Sequence, residues 1–198
     1  MRDALKHRRS YYSITDKSLI SDDEIESIVK FAALYMPSAF NSQTTRLVLL
    51  LGDNHRKLWD IVKATLKKIV PSEAFPRSEA KIDGSFRAGY GTVMFFEEQS
   101  IVKKMQEDFP GYADKFPQWS EHTSAMHQLT VWALLENAGF GASLQHYNPL
   151  IDDEVKKTWG LPESWSLISQ MPFGIPSAEP GPDPKTDKPL DGRVMIFK

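Results

Sequence analysis

The sequence predicts an α+β fold, a small sheet with helices packed around it. Two observations carry that reading. Amphipathic helical stretches outnumber the apolar, β-prone runs. The runs and helices do not alternate in a βαβ rhythm, which argues against a parallel doubly wound sheet. No stretch repeats along the chain. At 198 residues the length fits one domain, with enough material to bury a core without covalent staples.

The elements follow in chain order. SDDEIESIVKFAALYM opens with Ser21 and Glu24 spaced as a capping box, and Asp22 and Asp23 suit the positive end of a helix dipole. Ile25, Ile28, Val29, Ala32 and Met36 share a face, and Pro37 stops the helix. RLVLLL reads as a buried strand ended by Gly52-Asp53. A second helix places Leu58, Ile61, Val62, Leu66 and Ile69 inward and closes before Pro71. Thr92 to Phe96 reads as a second strand, and the charged stretch from Glu98 to Gln118 as short helical pieces. SEHTSAMHQLTVWALLENAG is the longest helix, with Ser120 as its cap and Gly139 just past its end. Its second half is apolar on most faces, which predicts a central helix. A short polar helix starts near Asp152, and SWSLISQMPFG contains a third strand.

Prolines 176, 180, 182, 184 and 189 then forbid both helix and ladder. This stretch reads either as a disordered tail or as a surface loop. RVMIF beyond it is apolar and β-prone, and a strand needs a sheet to join. The expectation is therefore a loop that carries this last strand to a docking place, on this sheet or on a partner subunit.

Composition excludes several classes. Hydrophobic residues make up 41% and charged residues 25%, ordinary for a soluble globule. A net charge of −2 favours neither nucleic acid nor an anionic membrane, so any cationic site must be local. The absence of cysteine excludes disulfides, thiolate catalysis and Cys-ligated metal centres. The N-terminus carries charge without an apolar stretch behind it, and the longest strongly apolar run, Leu47 to Leu51, is far too short to span a bilayer. The expectation is a cytoplasmic protein.

Familiar catalytic patterns are missing. His122 and His127 are five residues apart, so a helix turns them about 140° from one another and they cannot share an ion. No G-x-S-x-G elbow is present. GFGASL lacks the third glycine of a dinucleotide fingerprint and follows a helix rather than a strand, so it reads as a helix stop and tight backbone. GSFRAGYG lacks the Lys-Ser/Thr of a phosphate-binding loop.

Three other stretches invite a ligand. Arg8, Arg9 and Ser10 put two guanidinium forks and a hydroxyl together, which suits a phosphate monoester; the plainer reading is a solvated basic terminus. PSAFNSQTTR, between a helix end and a strand start, gathers Ser38, Asn41, Ser42 and Gln43, able to read the edge of a heterocycle or merely to form a turn. LQHYNP offers Gln145 and His146, the latter an acid–base group or a loop histidine lending its backbone.

Taken together, in this order and spacing, these stretches resemble the FMN-dependent nitroreductase family, in particular a subgroup shared by fungi and bacteria. The resemblance runs from Leu5 to Phe197. It implies a mixed, mainly antiparallel sheet in a nitroreductase-like domain over 1–198, assembled as an intertwined homodimer with 175–198 as a loop and strand reaching the partner. It implies FMN at the dimer interface. On that pattern Arg8, Arg9 and Ser10 hold the phosphate and ribityl region, and Tyr12 stands where many members carry a further basic residue. Pro37, Ser38, Ala39, Asn41 and Gln43 match a turn that meets the flavin from the other subunit, with Thr44-Thr45 replacing a common Pro-Trp. Leu144, Gln145 and His146 match the loop whose backbone N–H approaches flavin N5, and Lys188 or Arg193 closes around the phosphate.

The implied activity is ping-pong reduction of nitroaromatic or quinone acceptors by NAD(P)H, with the cofactor supplying the redox step. Phe86, Tyr90, Phe109 and Tyr112 are candidates for the acceptor wall. Two alternatives remain: a non-catalytic flavin- or nucleotide-binding module on the same fold, and a helical interaction protein with a basic terminus.

Overall fold

The apolar runs of the chain join in one sheet of five strands, described for residues 2–180 and 188–198 by a computed structural model. These are β1 (Ile14–Thr15), β2 (Thr45–Leu51), β3 (Gly91–Glu98), β4 (Gly141–Ala142) and β5 (Trp165–Pro176). The order is β1-β5-β3-β2, with β4 also paired to β5. Every strand pair is antiparallel, and one parallel bridge joins Ser10 to Ala142, so the sheet is mixed and mainly antiparallel.

β3 is central and buried along its whole length, which is why it reads as an unbroken apolar run. Its side chains alternate between two cores. Val93 and Phe95 face α2 (Asp22–Tyr35) and α6 (Phe116–Asn137), meeting Ile25, Val29, Val131 and Leu135. Met94 and Phe96 face α3 (Gly52–Ile69) and α7 (Asp152–Trp159), meeting Leu58, Trp59, Val62 and Val155. β2 is an edge: among the described residues only β3 pairs with it.

Several local expectations hold. Ser21 Oγ accepts from Glu24 N–H at 3.3 Å and the Glu24 carboxylate accepts from Ser21 N–H at 2.9 Å, completing the capping box. α2 ends before Pro37. Gly139 takes φ 88° beyond the end of α6, a conformation cheap only for glycine.

Other expectations need correction. Ser120 is no cap: α6 begins at Phe116 with Pro117 in its first turn, where a missing N–H costs nothing, and Ser120 is buried inside the helix. α1 (Arg2–His7) and α4 (Phe75–Ile82), which continues into a π-turn at Asp83–Arg87, were not expected from periodicity because both are short. The charged stretch after β3 forms α5 (Gln99–Asp108) and a 3₁₀ turn at Pro110–Tyr112.

At the C-terminus, Ile175 and Pro176 belong to β5 rather than to the expected loop. The middle of the proline-rich stretch, 181–187, lies outside the described residues. Arg193 to Phe197 form no strand within this chain, where a run with no neighbouring edge has no ladder to complete. Val194, Met195, Ile196 and Phe197 are all exposed, Phe197 at 91%.

His55 shows how dry the α3 side is. It is fully buried, with Nδ1 2.8 Å from Thr92 Oγ1 and Nε2 3.2 Å from the Arg87 carbonyl. A carbonyl only accepts, so Nε2 carries the proton and Nδ1 accepts from the Thr92 hydroxyl, which in turn accepts from Trp59 Nε1 at 3.0 Å. Burial lowers the His55 pKa to about 4, so the ring is neutral.

Candidate functional site

The first cluster grows from the N-terminus. Arg8 N–H donates to Ala4 O at 2.8 Å as α1 ends, and the chain then runs alongside β4, with Tyr11 N–H donating to Ala142 O at 3.0 Å. Gly141 permits this approach, since a Cβ there would lie 2.6 Å from Tyr11 Cγ. Beyond β4, Ser143 and Gln145 give their N–H groups to Pro172 O and Gln170 O on β5. Alternation along an extended chain turns the Leu144 N–H the other way, toward the N-terminal stretch. Among the described residues nothing accepts from it. A backbone donor left open at a cavity wall is a ready anchor for a ligand.

The Arg8 guanidinium lies 4.3 Å from the centroid of the Trp132 ring, a cation–π shelf that fixes its direction. Arg8, Gln128, Leu129, Trp132 and Leu144 wall a cavity of about 290 Å³. Burial raises the pKa of nearby Glu136, against the lowering pull of His7 and Arg8. Arg8 makes no ion pair within 4 Å of a carboxylate among the described residues, its nearest partner being the Trp132 ring. Arg8, Arg9 and Ser10 are half-buried, whereas Arg2 and Lys6 nearer the terminus are exposed.

The second cluster is the turn after α2. Asn41 N–H donates to Ser38 O at 3.0 Å, Ser42 N–H to Ala39 O at 3.1 Å, and Gln43 N–H to Ser38 Oγ at 2.9 Å. Arg46 Nη1 reaches back to Gln43 O at 2.8 Å. Three non-glycine residues here are left-handed: Phe40 (φ 55°), Asn41 (φ 52°) and Gln43 (φ 48°). For Phe40 and Gln43 this costs roughly 1–2 kcal/mol against a right-handed backbone, while asparagine tolerates it better. Such strain persists only where the surroundings over-determine it, and it gathers at ligand sites. Asn41 and Gln43 are exposed. Ser38, Asn41, Gln43, Lys30, Arg46 and His127 line a second cavity of about 620 Å³. His127 Nδ1 lies 2.9 Å from Thr123 O and so carries the proton, and burial lowers its pKa, keeping the ring neutral.

The two cavities share no lining residue. One chain thus brings Arg8, Ser10 and Leu144 together, while Pro37, Ser38, Ala39, Asn41 and Gln43 stand apart in their own turn. Gln145 is folded inward, its Nε2 donating to Ser143 Oγ at 3.0 Å, and His146 is exposed. The Tyr12 ring lies 6.3 Å from Phe86 and 5.9 Å from Lys81 Nζ, neither of which lines the Arg8 cavity. Lys188 and Arg193 are exposed and joined to each other, Arg193 Nη1 donating to Lys188 O at 2.9 Å.

The acceptor-wall candidates divide. Phe86 is fully buried against Trp59 and Tyr147 and cannot form a wall. Tyr90 packs on Phe140 and Phe173 and gives its hydroxyl proton to Asp22 Oδ1 at 2.6 Å. Phe109 and Tyr112 are exposed and surround Phe40, which the sequence reading passed over. Gln128 and Trp132 were also missed, although a four-residue spacing on a helix puts them on one face.

Exposed apolar side chains on α2 and α6 lie near both clusters. Phe31, Leu34 and Tyr35 on α2, with Met126 and Leu129 on α6, are exposed, Leu34 at 74%. Exposed apolar side chains of this size favour an interaction surface. Among the described residues no helix is long and apolar enough to cross a membrane, and no group of His, Asp and Glu is arranged to hold a metal ion.

Residues 5–175 match the model of the nitroreductase family, and the chain belongs to that family. The nitroreductase FRM2 of Saccharomyces cerevisiae is 34% identical over 179 residues, 89% of this chain and 88% of that one. The nitroreductase CinD of Lactococcus lactis, solved with chloramphenicol, superposes at a TM-score of 0.88 with 43% identity, covering 100% of this chain and 99% of the other. CinD has also been solved with 4-nitrophenol and with nicotinic acid. A Desulfovibrio desulfuricans protein solved with FMN shares the fold at a TM-score of 0.66 and 17% identity, over 100% of this chain and 96% of that one.

The donor set fits FMN. A phosphate monoester asks for guanidinium forks and hydroxyls, which Arg8, Arg9 and Ser10 supply. A flavin ring edge asks for backbone and amide groups, which Leu144, Asn41 and Gln43 supply. One chain offers these as separate halves.

Proposed function

We propose that the protein is a cytoplasmic, homodimeric FMN oxidoreductase that uses NAD(P)H to reduce nitroaromatic or quinone-type acceptors by a ping-pong mechanism. The observation that carries this reading is the open Leu144 N–H in the wall of the cavity where Arg8 lies fixed on Trp132. Bound FMN would supply the two-electron chemistry that couples NAD(P)H oxidation to acceptor reduction.

The chain's own groups bind and orient. Arg8, Arg9 and Ser10 grip the phosphate and ribityl region. Leu144 offers its N–H beside the flavin ring, with Gln145 and His146 continuing that loop. Tyr12 flanks the phosphate-binding stretch. Pro37, Ser38, Ala39, Asn41 and Gln43 approach from the second subunit. Lys188 or Arg193 closes around the phosphate.

The apolar surface on α2 and α6 supports the dimer, since a second copy would cover it. The C-terminal part beyond β5 reaches the partner. A groove of about 460 Å³ lined by Val29, Leu47, Leu49 and Leu51 runs beside the open edge of β2, and the exposed apolar run Val194 to Phe197 has the character of a strand that would pair there. Ligands of CinD support the substrates: two nitroaromatics, and nicotinic acid, which resembles the reacting ring of NAD(P)H.

An absorbance scan tests this first. Purified protein should be yellow, be bleached by NADH or NADPH without oxygen, and recover its colour when a nitroaromatic or a quinone is added. Colourless protein that refuses FMN would end the proposal. A yellow protein that no pyridine nucleotide bleaches would be the non-catalytic module instead.

A further inference from the structure

The left-handed turn needs a reason to stay left-handed. Hydrogen bonds from Asn41, Ser42 and Gln43 close it internally, and Arg46 holds its far end through Gln43 O. At its near end only one side chain of the turn is packed among rings. Phe40 lies 4.7 Å from Phe109, 5.8 Å from Tyr112, 5.4 Å from Phe116 and 6.0 Å from Trp119, stacked on the last at 22°. The four rings also contact one another: Phe109 with Phe116, Tyr112 with Trp119, and Phe116 with Trp119. They come from the α5–α6 connection and the first turns of α6, far in sequence from the turn they hold. Phe40 nevertheless stays 49% exposed, so burial of its own surface does not explain its conformation.

We propose that Phe40 is a positioning residue: the nest of Phe109, Tyr112, Phe116 and Trp119 clamps its ring and so locks the left-handed turn whose Asn41 and Gln43 meet the cofactor. The inference rests on the FMN reading for its consequence but not for the clamp itself. Phe40 and Gln43 are residue types that seldom take a left-handed backbone, so the turn would relax if the ring were released. Asn41 and Gln43 would then lose their fixed directions. A group preorganised by a clamp loses ligand affinity when the clamp goes, even though the clamp never touches the ligand.

The test uses the full-length protein and the variants Phe40→Leu, Trp119→Ala and the double variant. FMN affinity is read by fluorescence titration, and amide hydrogen exchange is read at residues 38–43 and in the second half of α6. Each single variant should weaken FMN about tenfold, in keeping with lost aromatic pairs. The double variant should be no weaker than Phe40→Leu, because both changes open one clamp. Exchange at Asn41 and Gln43 should quicken in Trp119→Ala while Val131 and Leu135 keep their protection. Unchanged affinity in Trp119→Ala, additive losses, or loosening spread through the whole of α6 would overturn the proposal. If the unaltered protein takes up no FMN, the cofactor reading fails alone. The exchange data then decide the clamp: a quickened turn upholds it and an unaltered one removes it.

Discussion

The N-terminal cluster and the turn after α2 present the same kind of chemistry in opposite ways. Arg8, Ser10 and Leu144 are half-buried and knitted to the sheet through β4 and β5, and Arg8 is fixed on Trp132. Asn41 and Gln43 stand exposed on a strained turn, held by one arginine and one ring. The first cluster is built as a socket and the second as a presenting finger. Their cavities share no residue, and on the proposed dimer the finger of one chain would meet the socket of the other.

The largest effect should come from emptying the socket. Arg8→Ala with Arg9→Ala removes two charge-assisted contacts, each worth about 1.5–3 kcal/mol, so FMN should bind at least about a hundredfold more weakly. Flavin content that survives the double change would contradict the phosphate assignment.

A control outside both clusters comes next. His55 has a folded pKa of about 4 against 6.5 when unfolded. Between those values the unfolded chain binds a proton that the folded chain refuses. Stability is therefore full above the unfolded value and falls by about 3 kcal/mol as pH drops through this window. His127, lowered by burial as well, adds in the same direction. Urea midpoints at pH 7 and pH 4.5 should differ accordingly, and His55→Asn should remove most of the slope. A slope unchanged by that substitution would place the acid sensitivity elsewhere.

Blunting the finger should cost less than emptying the socket. Asn41→Ala with Gln43→Ala loses neutral hydrogen bonds worth about 1 kcal/mol each, a loss of roughly thirtyfold in FMN affinity. The sharpest check mixes the two defective chains after mild dissociation. If socket and finger come from different subunits, random reassembly restores about a quarter of the full-strength sites. No recovery, with mixed dimers verified by mass, would mean that each chain builds its site alone.

The sequence disclosed the socket better than the finger. Arg8-Arg9-Ser10 is a local donor set, and GFGASLQ carries its glycines where a helix stop and a close approach demand them, so both could be read from residue type. The finger's residues were legible too, but not its shape. Nothing in PSAFNSQ announces left-handed Phe40 and Gln43, because neither residue prefers that conformation. The contacts that enforce it arrive from Phe109 to Trp119, beyond the reach of local pattern. The same limit explains the strands and helices. β3 and α2 were plain because burial and capping are written in consecutive residues, whereas α4 is too short for its period to show. RVMIF was read as a strand from its composition, and composition says nothing about whether an edge is within reach.

The bare side of β2 has a consequence for the life of a newly made chain. Its backbone donors and acceptors face outward beside leucines, and the apolar tail beyond Gly192 is just as uncovered. Until each finds its match, any extended peptide nearby is a substitute. On the proposed dimer, scarcity of sister chains would leave both surfaces bare.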